Sequence, residues 1–172
     1  FYIIEDDKVG QLVREALAAK AREGVSVRLV YDDVGCWNVK NRFFKQMETD
    51  GIQVAPFLPV RFPKFTSKVD FRNHRKIVVI DGIIGYVGGM NLAERYFYQV
   101  DRSQPVWRDT HVRIMGNAVG GLQRAFLSDW YVAAGQTITD QVYYPREEEC
   151  RKIMACDREP YVSRNALIQI VT

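Results

Sequence analysis

Residues 74–91 read H-R-K-I-V-V-I-D-G-I-I-G-Y-V-G-G-M-N, and what constrains the fold most is the pair of apolar stretches on either side of Asp81-Gly82. Asp-Gly between two such stretches is the strongest short-range hairpin signal, because the tight turns that match strand twist need positive φ at their central residues. The spacing predicts paired strands at Ile77–Ile80 and residues 83–87, with Gly88-Gly89 turning the chain just beyond them. In a strand that begins near Asn73, His74 and Lys76 project from one face and Asp81 has the opposite parity. One phosphate group could then meet His74, Lys76, the Gly88 and Gly89 amides and the Asn91 side chain. A neutral imidazole can attack phosphorus and leave again, while ammonium and amide donors stabilise the charge on the oxygens. Asp81 itself reads as a brace for the turn. Taken alone, His74 would read as a polar residue in a basic loop, since Arg72, Arg75 and Lys76 surround it.

Periodicity elsewhere points to an α/β fold. Val9, Leu12, Val13, Ala16, Leu17 and Ala21 recur at helical spacing and Gly24 sits where a left-handed cap belongs, which predicts a helix from about residue 8 to 23. Val25, Val27, Leu29 and Tyr31 alternate as a strand ending at Asp32-Asp33. Phe43, Phe44 and Met47 mark a second helix closed by Gly51, and residues 52–55 form the next strand. Strand–helix–strand order implies a mixed, largely parallel sheet flanked by helices. Asp32 and Asp33, at a strand's carboxyl end, either cap a turn or bind a cation or substrate hydroxyls. Val119, Leu122, Phe126, Leu127, Trp130 and Tyr131 form the core stripe of a later helix, with Asn117 as its cap. His111, alternating with Arg113 against Val112 and Ile114, reads as a polar-face strand residue. Residues 137–164 show weak periodicity and read as a linker.

Charge and cysteine usage narrow the chemistry. The formal net charge of +3 is mild, but Arg61, Lys64, Lys68, Arg72, Arg75 and Lys76 cluster around the candidate phosphate site. Such a patch suits an anionic lipid headgroup or a nucleic-acid backbone. Residues 56–65 interleave prolines, aromatics and basic residues, and either dip into a bilayer interface or form an ordinary connection. No apolar run is long enough to span a bilayer, so this piece is expected to be soluble. Cys36, Cys150 and Cys156 lack metal-ligand spacing and only two histidines are present, so neither a metal nor another cofactor is expected.

The whole run fits H-x-K-x4-D-x6-G-G-x-N and resembles the HKD signature of the phospholipase D superfamily. Five stretches resemble its bacterial cardiolipin synthase branch: Y-I-I-E-D-D from Tyr2, A-K-A-R-E-G-V-S-V-R-L from Ala19, Y-D-D-V-G from Tyr31, R-N-H-R-K from Arg72 and W-R-D-T-H-V-R-I from Trp107. The resemblance implies that His74, Lys76 and Asp81 are the catalytic residues of the signature and that Gly88, Gly89 and Asn91 bind the substrate phosphate. It also implies that Asp109 is a carboxylate supporting a catalytic imidazole. From the residues alone, Asp109 could equally pair with Arg108 or Arg113.

In that branch two signatures meet, one histidine acting as nucleophile and the other as acid then base, and this chain carries one. Residues 1–135 are therefore expected to form a first HKD domain, 136–165 a linker segment and 166–172 the opening strand of a second half. The piece by itself is expected to be weakly active or inert, completed by the second half of the same chain or by a second copy. The implied reaction is phosphatidyl transfer between two phosphatidylglycerol molecules to make cardiolipin, through a phosphatidyl-histidine. The implied location is the bacterial cytoplasmic membrane, reached through segments outside this piece; nucleic acid is not expected as a partner. A phospholipase D-like hydrolase, a homodimeric nuclease of the same superfamily and a non-enzymatic membrane scaffold are the alternatives. Cys36 stands where serine is common in the branch, and Asn117 where proline is common.

Overall fold

A computed structural model describes residues 1–60, 71–98 and 108–157. Helix α1, Lys8–Arg22, begins where the Asp7 carboxylate accepts a hydrogen bond from the Gly10 N–H at 2.9 Å. It ends at Gly24, whose φ of +89° is the left-handed geometry that glycine adopts without strain. Strand β1, Arg28–Asp32, leads to helix α2, Asn41–Thr49, which buries Phe43, Phe44 and Met47; strand β2, Gln53–Phe57, follows.

β1 and β2 pair in parallel, with Leu29 opposite Val54 and Tyr31 opposite Pro56. Residues 1–4 extend this parallel half. The Phe1 carbonyl accepts from the Asp32 N–H at 3.1 Å, the Ile3 carbonyl accepts from the Leu92 N–H at 3.1 Å, and Ile4 and Leu92 form a parallel bridge. The other half is antiparallel: strands β3 (Ile77–Ile80), β4 (Ile84–Gly88) and β5 (His111–Met115) lie in the order β3-β4-β5. The α/β class and the mixture of pairings are as expected, but the strands form a two-stranded parallel sheet and a separate three-stranded antiparallel one, so the pairing is not largely parallel. The hairpin explains the rest, because Asp81-Gly82 returns the chain beside β3 at once. Asp81 and Gly82 have φ of 53° and 67°, the Ile83 N–H donates to the Ile80 carbonyl at 3.0 Å, and pairing resumes at Ile80 with Ile84, one residue later than predicted.

Helix α3, Val119–Ala134, packs against both halves. Val119 and Leu122 meet Ile114 of β5, while Trp130 meets Val30 of β1 and Ala55 of β2. A third cluster, where α1 and α2 pack on β1, gathers Ile4, Ala18, Leu29, Phe43, Phe44, Met47 and Ile52. Two details of the predicted α3 are corrected. Its N-cap is Ala118, with no side-chain cap, so Asn117 does not cap it. Its buried face also turns away from Tyr131, which is exposed, to take in Gln123 and Asp129. The polar pair belongs there because each has a partner: Gln123 Nε2 donates to the Tyr143 carbonyl at 3.0 Å, and Asp129 is part of the site described below.

The described part of the expected linker folds back onto the sheet. Pro145 lies against the Asp81-Gly82 turn, Arg28 donates to the Tyr143 hydroxyl at 3.2 Å, and helix α4, Glu147–Cys156, is followed by Asp157 paired with Arg113 of β5 at 2.9 Å. Among the described residues no helix is long and apolar enough to cross a membrane. The predicted strand at 166–172, the second half of the 56–65 loop with Arg61 and Lys64, and Lys68 and Trp107 lie outside the described residues, while Pro56 and Phe57 belong to β2.

Candidate active site

His74 stands on a segment, residues 71–76, that makes no regular strand ladder, so side chains must position it. Asp32, at the carboxyl end of β1 and only 1% exposed, does much of this. One carboxylate oxygen accepts the N–H groups of Val34 at 3.0 Å and Gly35 at 2.9 Å; the other accepts the Asn73 N–H at 3.0 Å and lies 3.1 Å from Arg72 Nε. Of the roles open to the aspartate pair, Asp32 caps the turn that follows it, whereas Asp33 makes a long-range tie by accepting the Val60 N–H at 2.8 Å. Asp32 also reaches across to the segment carrying His74, which the Asp-Asp pattern alone did not reveal.

His74 is exposed, with its ring 3.9 Å from the Tyr2 ring, centroid to centroid, at 34°. Lys76 is 8% exposed; its ammonium donates to the His74 carbonyl at 2.8 Å and lies 5.5 Å from the Tyr2 ring centroid. Tyr2 therefore supports both the imidazole and the ammonium. Burial lowers the Lys76 pKa, and the Asp109 carboxylate opposes that shift.

The two glycines act differently from the predicted turn. Gly88 is the last residue of β4, opposite His111, and the Gly89 N–H donates to the Thr110 carbonyl at 3.0 Å, so that amide is committed to the sheet. What both positions need is smallness: a Cβ on Gly88 would come within 2.6 Å of His111 Cα, and one on Gly89 would clash with Asp109 Oδ1. Absent side chains thus let Asp109 and His111 close on this end of β4. The Asn91 amide is buried and bridges two segments, its oxygen accepting the Ile3 N–H at 3.0 Å and its nitrogen donating to the Tyr96 hydroxyl at 3.0 Å.

Asp81 stands apart from these groups. It is exposed in the hairpin turn, five residues along from Lys76, or roughly 16 Å at the usual strand rise. Its place is therefore in the turn rather than beside the imidazole, as its parity suggested. The expected basic patch is also corrected in its described part: Arg72 donates to the Phe57 and Leu58 carbonyls at 3.0 Å each, Arg75 pairs with Asp129 at 2.8 Å, and Lys76 is buried. These cations are engaged in holding the segment together, with Arg75 alone of the three exposed. Among the described residues no group of three His, Cys, Asp or Glu side chains could hold a metal ion.

His111 has the alternation of an ordinary polar-face residue, yet it shares this end of the sheet with Asp109 and Gly88, and its Nδ1 is buried without a hydrogen-bond partner among the described residues. Burial lowers its pKa from 6.5, while Asp109 acts in the opposite direction. As pH falls through 6.5 the unfolded chain binds a proton that the folded chain resists, so this residue's contribution makes stability fall with acidification. Denaturation midpoints at pH 7.5 and 5.5 should drop less in His111→Gln than in the parent. Equal drops would remove His111 as the source.

Residues 1–130 match the family model described as cardiolipin synthase, PLD-like domain. The chain is 44% identical over 147 residues to a cardiolipin synthase of Geobacillus sp. (strain WCH70), covering 86% of this chain and 29% of that relative. It is 42% identical over 143 residues to a cardiolipin synthase of Halalkalibacterium halodurans, and 41% identical over 143 residues to a cardiolipin synthase 2 of Bacillus anthracis, in both cases covering 83% of this chain and 28% of the relative. The chain thus spans less than a third of the length of the relatives it matches.

Proposed function

The chain belongs to the cardiolipin synthase family of phospholipase D-like domains, and we propose that it supplies one half of the active site of a phosphatidyl transferase that makes cardiolipin from two phosphatidylglycerol molecules. In this reading a His74 imidazole nitrogen attacks the phosphodiester of the first lipid. A P–N bond forms, the bond from phosphorus to the headgroup glycerol oxygen breaks, and glycerol leaves with a proton supplied by an acid on the second half. The hydroxyl of a second phosphatidylglycerol then gives up its proton and attacks phosphorus, which breaks the P–N bond and frees the imidazole. Lys76 neutralises charge on the phosphoryl oxygens. Asn91 holds the neighbouring backbone and turns its remaining N–H capacity towards the phosphate. Asp109 pairs with the imidazole as it becomes positively charged.

The observation that carries this reading is the exposed His74 ring held against Tyr2, with the buried Lys76 ammonium on the same ring, inside a complete signature. Cationic nitrogen beside a displaceable imidazole suits phosphoryl transfer, where positioning and charge stabilisation do most of the work. The second half comes from the rest of a longer chain or from another copy, and membrane attachment from segments outside residues 1–172.

The test is lipid mass spectrometry of cells that lack their own cardiolipin synthases and express the complete protein. Cardiolipin should appear and free glycerol should be released in equal amount. Phosphatidic acid with no cardiolipin would replace the transferase with a hydrolase, and DNA cleavage with unchanged lipids would exclude a lipid substrate.

A further inference from the structure

We propose that Asp129 of α3 is a positioning residue for the transfer, because its one carboxylate grips the residues on both sides of His74. Asn73 Nδ2 donates to Asp129 Oδ2 at 2.7 Å, and the Arg75 guanidinium donates to Asp129 Oδ1 at 2.8 Å. Asn73 and Asp129 are each 8% exposed, so the bond between them is shielded from water, while the Arg75 side chain that completes the grip is 45% exposed. The Arg75 N–H closes the arrangement by donating to Asn73 Oδ1 at 3.0 Å, and the Asn73 N–H is anchored from the other side by Asp32.

The consequence for His74 is one of direction. Asn73 and Arg75, the residues on either side of His74, are both tied to one carboxylate of α3, so the backbone between them is held at two points and the His74 side chain is left exposed, lying on Tyr2. No strand ladder constrains residues 73–76, so releasing this staple frees the segment to rotate and carry the imidazole away from its line of attack. Misplacing a reacting group by about 1 Å costs on the order of 10²-fold in rate. Asp129 touches no reacting atom; it acts through Asn73 and Arg75.

The inference rests on His74 being the nucleophile, and the experiment separates the two ideas. In the full-length protein Asp129→Asn keeps the side-chain volume but loses the charge facing Arg75. The expected result is a fall in kcat of about 10²-fold, a KM for phosphatidylglycerol within about threefold of the parent, and a proportional slowing of phosphatidyl-enzyme formation in a single turnover. The reciprocal pair Asn73→Asp with Asp129→Asn reverses donor and acceptor while leaving Arg75 a carboxylate. It should recover kcat to within about tenfold of the parent, whereas Asn73→Asp alone, which sets two carboxylates face to face, should not.

A role confined to stability would lower the folded fraction and leave the kcat of the folded molecules unchanged, so activities are normalised to folded protein by near-UV circular dichroism. The proposal is overturned if Asp129→Asn retains kcat within about threefold after that correction, or if the reciprocal pair is no faster than its single variants. His74→Ala is assayed beside them. An active His74→Ala overturns the nucleophile and the staple together; an inactive one beside an unimpaired Asp129→Asn overturns the staple alone.

Discussion

Replacing His74 with alanine in the full-length protein should abolish cardiolipin formation, with turnover falling by about 10⁴-fold or more, the scale on which covalent catalysis depends on its nucleophile. The loss should be chemical rather than structural. The ring is exposed, and the one ring contact it makes among the described residues is with Tyr2; truncating an exposed side chain usually changes stability by no more than about 0.5 kcal/mol. His111 is a poor substitute, since its Nδ1 is buried and its imidazole lies across the end of β4, over Gly88. His74→Asn should behave in the same way, because its amide can accept and donate hydrogen bonds but cannot carry a phosphatidyl group. Turnover of headgroup-labelled phosphatidylglycerol, together with the unfolding midpoint of each variant, checks both halves of this expectation. Activity of His74→Ala within tenfold of the parent would remove the covalent route.

The largest effect on stability is expected at Asp32. Its side chain is fully buried, accepts three backbone N–H groups and lies 3.1 Å from Arg72 Nε. Asp32→Ala would orphan those donors and leave the Arg72 guanidinium without its carboxylate. Removing one partner of a buried ion pair costs about 3–5 kcal/mol, a large share of the roughly 5–15 kcal/mol that holds an ordinary domain together. Asp32→Asn keeps an acceptor and should lose less. Activity should fall as well, because the Asn73 N–H loses the anchor that sets the segment before His74. Urea unfolding of the parent and both variants measures the effect, and a loss below about 1 kcal/mol for Asp32→Ala would contradict the role assigned to this network.

The local features of this protein were legible because short-range physics dictates them. Apolar spacing and a left-handed glycine bound α1, while Asp81-Gly82, whose φ values are both positive, made the hairpin. The HKD signature picked out His74 and Lys76, and parity set Asp81 apart from them. Where the reading departed, long-range contacts were responsible. Gly88-Gly89 resembled a phosphate-binding turn, yet those residues are small because β5 brings Asp109 and His111 against them. Arg72 and Arg75 looked like surface cations, but carbonyls and carboxylates from β1, α3 and residues 57–58 absorb them.

By itself, then, the order of residues determined which chemistry is on offer, where the helices start and stop, and that one tight hairpin follows the histidine, since each depends on neighbours a few positions apart. Only the tertiary structure decided how that histidine is held. Tyr2, Asp32 and Asp129 reach it across 72, 42 and 55 positions of chain, and nothing in local sequence identifies a buried carboxylate as the partner of a distant backbone N–H until folding has removed the water that would otherwise satisfy both.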